Sequence, residues 1–130
     1  MNNIGRLCFN FLRSEGYLPQ INQVDDIIFK AEGNTFIVMI DENDEQFLNL
    51  ILPNFYQIEG NLEMNKAFRV ANIVNQNIKV GKIIISNNKH VWAIAEQFID
   101  STPDLEDFFK RTIRAVLKAS EDFQSKMDLG

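Results

Sequence analysis

Apolar positions along the chain follow two different spacings, and the spacing predicts where helices and strands lie. From residue 4 they recur every three or four residues, which places them on one side of a helix that Gly16 ends. Two later stretches have the same spacing, one beginning with a cap at Asn61 and one with Thr102 as cap and Pro103 as first helical residue. The predicted inner faces are Ile4, Leu7, Cys8, Phe11 and Leu12; Met64, Ala67, Phe68, Ala71, Val74 and Ile78; and Leu105, Phe108, Phe109, Ile113, Val116, Leu117 and Phe123.

Short β-branched or apolar runs between turn residues predict five strands. Three lie at residues 27–29, 35–40 and 47–52, and two at residues 80–85 and 91–99. Within each group the connections are too short for parallel crossovers, so the neighbours are antiparallel. Pro53 cannot donate a ladder hydrogen bond, and we expect a bulge there. The expected fold is α+β, a single domain over residues 1–130 with the order α-β-β-β-α-β-β-α and a five-stranded, mainly antiparallel sheet.

Composition narrows the class of partner. The 130 residues suffice for one hydrophobic core, and the formal net charge of -5 would repel a polyanion, so neither nucleic acid nor an anionic membrane is expected as a partner. Cys8 is the single cysteine, which excludes an intrachain disulfide and favours the cytoplasm. No apolar run is long enough to span a bilayer.

The residue types that carry catalysis or hold metals are few and scattered. The acidic run at residues 41–45 fails the EF-hand pattern, because Gln46 holds the glycine position and Leu52 the closing glutamate position. His90 is the only histidine, Cys8 lies on an apolar helix face, and the six glycines form no phosphate-binding loop. We therefore expect no catalytic residue, no metal site, no cofactor and no enzymatic activity.

Four basic side chains share the outer side of the last predicted helix, within an arc of ~100°. They are Lys110, Arg111, Arg114 and Lys118. One interpretation is an anion-binding stripe. A solvated face is favoured, because three of the four have a carboxylate four residues away in the sequence.

The last predicted strand carries the strongest candidate surface. Its alternation places Ala93 and Ala95 on one side and Trp92, Ile94 and Phe98 on the other. Small side chains suit closely packed helices, so we expect the helices over the alanine side. Trp92, Ile94 and Phe98 would then form part of a partner-binding or dimer surface. The alternative is that a helix covers this side as well.

Several segments together resemble the YbjN-like family of bacterial sensory transduction regulators, whose domain is similar to type III secretion chaperones. The segments are the helix at residues 4–12, the hairpin at residues 27–40, Ala71-Asn72-Ile73-Val74-Asn75, Gly81-Lys82-Ile83 and the phenylalanine-rich last helix. The resemblance implies a small acidic α+β protein, often dimeric, that works through protein contacts.

Two functions remain open at this point. The leading one is a non-catalytic protein-binding regulator or chaperone-like module of the bacterial cytoplasm, whose partner is another protein or a second copy in a homodimer. The alternative is a small ligand-binding domain or enzyme with a pocket between sheet and helices, where Asp25, Asp26 or His90 would be the polar anchors. A deep pocket with convergent titratable groups would favour this alternative.

Overall fold

The computed structural model describes residues 1–129, which form three helices and one six-stranded antiparallel sheet. The α+β class and the antiparallel pairing are as predicted. In chain order the elements are α1 (Asn3–Ser14), β1 (Gln20–Ile21), β2 (Ile27–Ala31), β3 (Asn34–Met39), β4 (Phe47–Gln57), α2 (Gly60–Asn77), β5 (Lys82–Ile85), β6 (His90–Phe98) and α3 (Leu105–Asp128).

The predicted number of five strands is wrong, because β1 adds a sixth. β1 is two residues long, too short to show any alternation in the sequence, and it exists only through its pairing with Ile27 and Ile28 of β2. The strands lie side by side in the order β1-β2-β3-β4-β6-β5. β1 and β5 are therefore the two edges of the sheet.

Turn chemistry sets the registers of the long strands. Glu32 and Gly33 both have positive φ values, 53° and 74°, as a tight two-residue hairpin between β2 and β3 requires. Between Leu52 and Tyr56 the register of β4 against β6 shifts, which confirms the predicted bulge at Pro53. Asn54, at φ 50°, takes the left-handed conformation inside this bulge.

All three helices pack against one face of the sheet, the face that carries Ala93 and Ala95. These two alanines are fully buried in one core that also holds α3 residues such as Val116 and Phe123. Gly81 is part of the same close approach, because a Cβ atom there would overlap the carbonyl oxygen of Ala115. The predicted placement of helices over the alanine side is confirmed.

Both predicted helix starts after α1 are displaced. α2 begins at Gly60, one residue before Asn61, and the Glu63 carboxylate accepts a 2.7 Å hydrogen bond from the Glu59 backbone N–H. α3 begins at Leu105, and its cap is Asp104 rather than Thr102, since the Asp104 carboxylate accepts from the Asp107 backbone N–H. Both hydrogen bonds join residues only three or four positions apart in the sequence.

Two predicted inner-face residues point outwards. Phe68 of α2 is 55% exposed, and Val70 is buried in its place. Leu7 of α1 is 40% exposed. Both lie at the margin of their apolar stripe, where packing against the sheet rather than periodicity decides burial.

The edge strand β5 is protected by a side chain of α2. The backbone N–H of Ile83 donates to Asn75 Oδ1 at 2.7 Å, and Asn75 Nδ2 donates to the Ile83 carbonyl at 3.1 Å. The Lys82 ammonium group donates in turn to the carbonyls of Asn75 and Ile78 at the end of α2. The Asn75 amide thus takes the place of a further strand and blocks the edge.

Replacing Asn75 with alanine removes both hydrogen bonds and frees the edge of β5. We expect Asn75→Ala to lower the free energy of unfolding by ~1–3 kcal/mol in urea denaturation. Asn72→Ala is the matched control, because Asn72 is exposed on the same helix and has no side-chain hydrogen bond within residues 1–129. Equal losses in the two variants would contradict the role of Asn75.

Candidate protein-binding surface

The sheet surface opposite the helices, here called the open face, is covered by no element of residues 1–129. The ladder registers show which side chains share it. A row of isoleucines crosses four strands at its centre, with further apolar side chains above and below. The central row is Ile28, Ile37, Ile51 and Ile94, and the flanking apolar residues are Met39, Phe47, Ile84, Trp92 and Phe98.

Exposure on the open face is graded. Phe98 is 85% exposed, and Ile84 and Met39 are 45% and 41% exposed. At the centre Ile51 and Ile94 are only 2% and 7% exposed, although neither belongs to the core beneath the helices. Neighbouring side chains therefore cover the central isoleucines. The apolar area that a partner could contact lies around them.

Trp92 is held in place by a polar contact at the bulge. Its indole N–H donates to Asn54 Oδ1 at 2.6 Å, and His90 Nδ1 lies 2.7 Å from the same oxygen. Because an amide oxygen can only accept, the hydrogen of His90 lies on Nδ1. The bulge at Pro53 thus orients the largest side chain of the open face.

Asn49 is the one polar side chain buried within the open face in the described part of the chain. It is 7% exposed and lies between Met39 of β3 and Glu96 of β6. Within residues 1–129, its Nδ2 reaches only the sulfur of Met39, at 4.0 Å, and no protein group donates to its Oδ1. A buried amide oxygen without a partner is rare and costs ~1–3 kcal/mol.

The structure brings the predicted residues Trp92, Ile94 and Phe98 together on the open face. Trp92 is half-buried and Phe98 is almost fully exposed, whereas Ile94 is buried. Ile94 therefore offers a partner far less area than the sequence suggested, because its cross-strand neighbours Ile51 and Lys82 flank it.

The other strands contribute residues to this surface that the sequence alone did not predict. Phe47, Asn49 and Ile51 alternate with three leucines along β4, so both sides of the strand look apolar. Alternation shows that these residues share a side, but the strand order is needed to place that side next to Trp92. Asn49, a polar residue between two leucines, was the signal available in the sequence.

The predicted anchors of a ligand pocket do not converge. The Asp26 carboxylate is buried and accepts from the Ile40 backbone N–H at 2.9 Å, which joins the start of β2 to the end of β3. Asp25 contacts the Met1 ammonium group at 2.9 Å. His90 lies on the open face. None of the three lines the cavities of about 620 and 690 Å³ that border α3.

The larger charged features have structural explanations. In the acidic loop after β3, the carboxylates of Asp41, Asp44 and Glu45 accept from the backbone N–H groups of Asn43, Gln46 and Asn3.

On α3, two of the predicted ion pairs form at 3.8 Å, Arg111 with Asp107 and Lys118 with Asp122. Lys110 and Arg114 line the 620 Å³ cavity, whose floor includes the stacked rings of Phe11 and Phe109. Carboxylates of Glu15 and Glu32 line the same cavity, so it is not a purely basic site.

Comparisons with known proteins show a fold and no function. No protein-family model matches the chain, and no curated protein matches it. The chain is similar to the solved structure of an uncharacterized protein from Methanothermobacter thermautotrophicus, with a TM-score of 0.62 and 10% sequence identity. The similarity covers 95% of this chain and 99% of that one. Across residues 1–129, no helix has the length and apolar character needed to cross a bilayer.

Cys8 is a packing residue, and the reactivity of its thiol group tests this assignment. The thiol is fully buried, and burial raises the pKa of Cys8 from 9.0 to about 12. We expect iodoacetamide at pH 8 to alkylate the folded chain at least ~100-fold more slowly than the urea-unfolded chain. The unfolded thiol loses its proton first, so Cys8 lowers the free energy of unfolding as the pH rises from 9 towards 12. Equal alkylation rates would show that Cys8 is accessible.

Substitutions at two neighbouring residues of β6 compare how much each face of the sheet contributes to stability. Trp92 lies on the open face, and Val91 is fully buried beneath the helices. We expect Trp92→Ser to lower the free energy of unfolding by about 2 kcal/mol, because part of the Trp92 side chain is already in water. Val91→Ser places a hydroxyl group in the core and should cost ~3 kcal/mol or more. A larger loss for Trp92→Ser, by urea denaturation at low protein concentration, would assign Trp92 to the core.

Proposed function

We propose that this protein is a non-catalytic protein-binding regulator or chaperone-like module of the bacterial cytoplasm, and that it binds its partner through the open face. The observation that carries the proposal is an apolar sheet surface without a covering layer in residues 1–129. Antiparallel sheets with one solvated face normally present polar side chains there. This one presents isoleucine, methionine, phenylalanine and tryptophan.

The size and composition of the open face fit a protein interface. Five strands at ~4.8 Å spacing and a nine-residue strand at ~3.4 Å per residue describe a surface of roughly 20 by 30 Å. That is ~600 Å² for the whole face, within which Phe98, Ile84 and Met39 are the most exposed apolar side chains. Lys30, Lys82 and Glu96 are the acidic and basic residues that the registers place on it, and the Lys82 ammonium group is bound to the end of α2. Depletion of charge is typical of interface centres.

Trp92 and Phe98 are the residues from which we expect most of the binding energy. Aromatic side chains dominate interface energetics because they bury large areas at small entropic cost. Asn54 already restricts the Trp92 ring, so binding immobilises little. Phe98 contacts Phe47 edge-on, with ring centroids 6.0 Å apart, and is otherwise free.

The resemblance to YbjN-like regulators and to type III secretion chaperones supports the same class of function. The segments on which the resemblance rests have structural roles here. Asn75 protects the sheet edge at Ile83, and Gly81 allows α3 to pack closely against the sheet. A chaperone-like module works through protein contacts rather than chemistry. The burial of Cys8 and the contact of His90 with Asn54 are consistent with this function.

A photo-crosslinker placed on the open face tests the proposal directly. We expect the full chain with benzoylphenylalanine at position 98 to form a defined protein adduct on irradiation in its host bacterium. Position 62 is the matched control, because Leu62 is 89% exposed and Phe98 is 85% exposed, yet Leu62 lies on α2. Absence of adducts at position 98, or the same adducts at both positions, would refute the open face as the binding surface.

A further inference from the structure

Two hydrogen-bond acceptors lie side by side on the open face, and neither has a charged or polar partner. Asn49 and Glu96 are directly opposite each other on β4 and β6, so their Cβ atoms are ~4.5–5.5 Å apart. Within residues 1–129 no protein group donates to Asn49 Oδ1, and the Glu96 carboxylate forms no ion pair. The Lys82 ammonium group is bound to carbonyls of α2, and Lys30 lies three strands away. A partner that covers this place therefore has to supply both donors and a positive charge.

A guanidinium group has the donors that these two residues need. Its planar fork donates two hydrogen bonds to a carboxylate and keeps further N–H groups for a neighbouring amide oxygen. A lysine ammonium group carries the same charge but cannot bind a carboxylate with two parallel hydrogen bonds. Met39 and Glu96, which flank the Asn49 amide, are long, unbranched and exposed. They can rotate aside and open the amide oxygen when a guanidinium group arrives.

The surroundings of Asn49 and Glu96 suit an arginine side chain with apolar neighbours. The next row along β4 and β6 is Phe47 and Phe98, whose ring centroids are 6.0 Å apart, and the row on the other side is Ile51 and Ile94. Guanidinium groups stack on aromatic rings, and the arginine methylene groups pack against apolar side chains. The formal net charge of -5 attracts a basic segment at long range.

We infer that the open face binds a segment of its protein partner in which one arginine lies between apolar residues, with the guanidinium group bound to Glu96 and to Asn49 Oδ1. The inference rests on the proposed function and adds the chemistry of the partner. The apolar residues of the segment contact the exposed side chains on either side, Phe98 and Met39 among them. A segment without the arginine leaves the amide oxygen and the carboxylate covered and unpaired, which is how the open face rejects other apolar segments.

Selection of short random peptides displayed on phage, with the purified full chain as target, tests the arginine segment. We expect the enriched peptides to share one arginine with apolar residues on both sides. Glu96→Gln should weaken the binding of the synthetic peptide, measured by fluorescence anisotropy, ~10-fold or more. Replacing the peptide arginine with lysine should weaken it as well. Glu121→Gln is the matched control, because it removes the same charge from an exposed residue of α3 and should leave the affinity unchanged.

Asn49→Leu separates recognition from packing. Leucine has a similar volume and removes the unpaired amide, so the thermal midpoint of the variant should stay equal or rise. The affinity for the enriched peptide should fall ~10-fold, because one guanidinium N–H loses its acceptor. A lower midpoint together with an unchanged affinity would contradict the role of Asn49 in binding. Glu96→Gln changes an exposed residue and decides the question if Asn49→Leu does not fold.

The outcomes separate this inference from the proposed function. Enriched peptides without arginine, a library that yields no enriched peptide, or an affinity that Glu96→Gln leaves unchanged would each overturn the arginine segment. The same variants also apply to the photo-crosslinker at position 98 in the host bacterium. There Glu96→Gln should lower the yield of the protein adduct and Glu121→Gln should not. An adduct whose yield is the same in both variants overturns the arginine segment and leaves the proposed function standing.

Discussion

The close packing of α3 on the alanines of β6 is the constraint on which the rest of the structure depends. Ala93 and Ala95 have no side-chain bulk beyond Cβ, and Gly81 has none, so the helix backbone can come close to the sheet. Larger residues on the other side of the same strand, Trp92 and Ile94, exclude an equally close approach. The three helices therefore lie on one face, and one face of a large sheet remains without a covering layer in residues 1–129.

One-sided coverage has an energetic consequence. A domain of this size gains its stability from a single core, and the helices supply that core on the alanine side. The open face gains nothing comparable from the monomer, yet its residues are apolar in four neighbouring strands. The central isoleucines close over one another, but Phe98, Ile84 and Met39 remain in water. This exposed apolar surface is the basis of the proposed interface.

Two polar side chains on the open face would restrict the orientation in which a partner binds. Asn54, in the bulge, orients Trp92 and leaves no acceptor to spare. Asn49, at the opposite side of the isoleucine row, has a buried acceptor that no protein group within residues 1–129 pairs with. A buried polar group of this kind lowers the stability of the monomer, and its recognised use is to fix the register of an interface. In the proposed interface, both asparagines would determine how a partner sits.

Local patterns in the sequence determined the elements that need only near neighbours. The three apolar helix stripes, the hairpin at Glu32–Gly33, the bulge at Pro53 and the shared side of Trp92, Ile94 and Phe98 are all set by spacing or by the backbone limits of glycine and proline. Tertiary structure alone decided the strand β1, the exposure of Phe68 and the covering of Ile94. It also decided that Asn49 lies beside the predicted surface. The physical reason is that burial and pairing depend on which strands become neighbours, and a period of two assigns residues to a side without stating what that side faces.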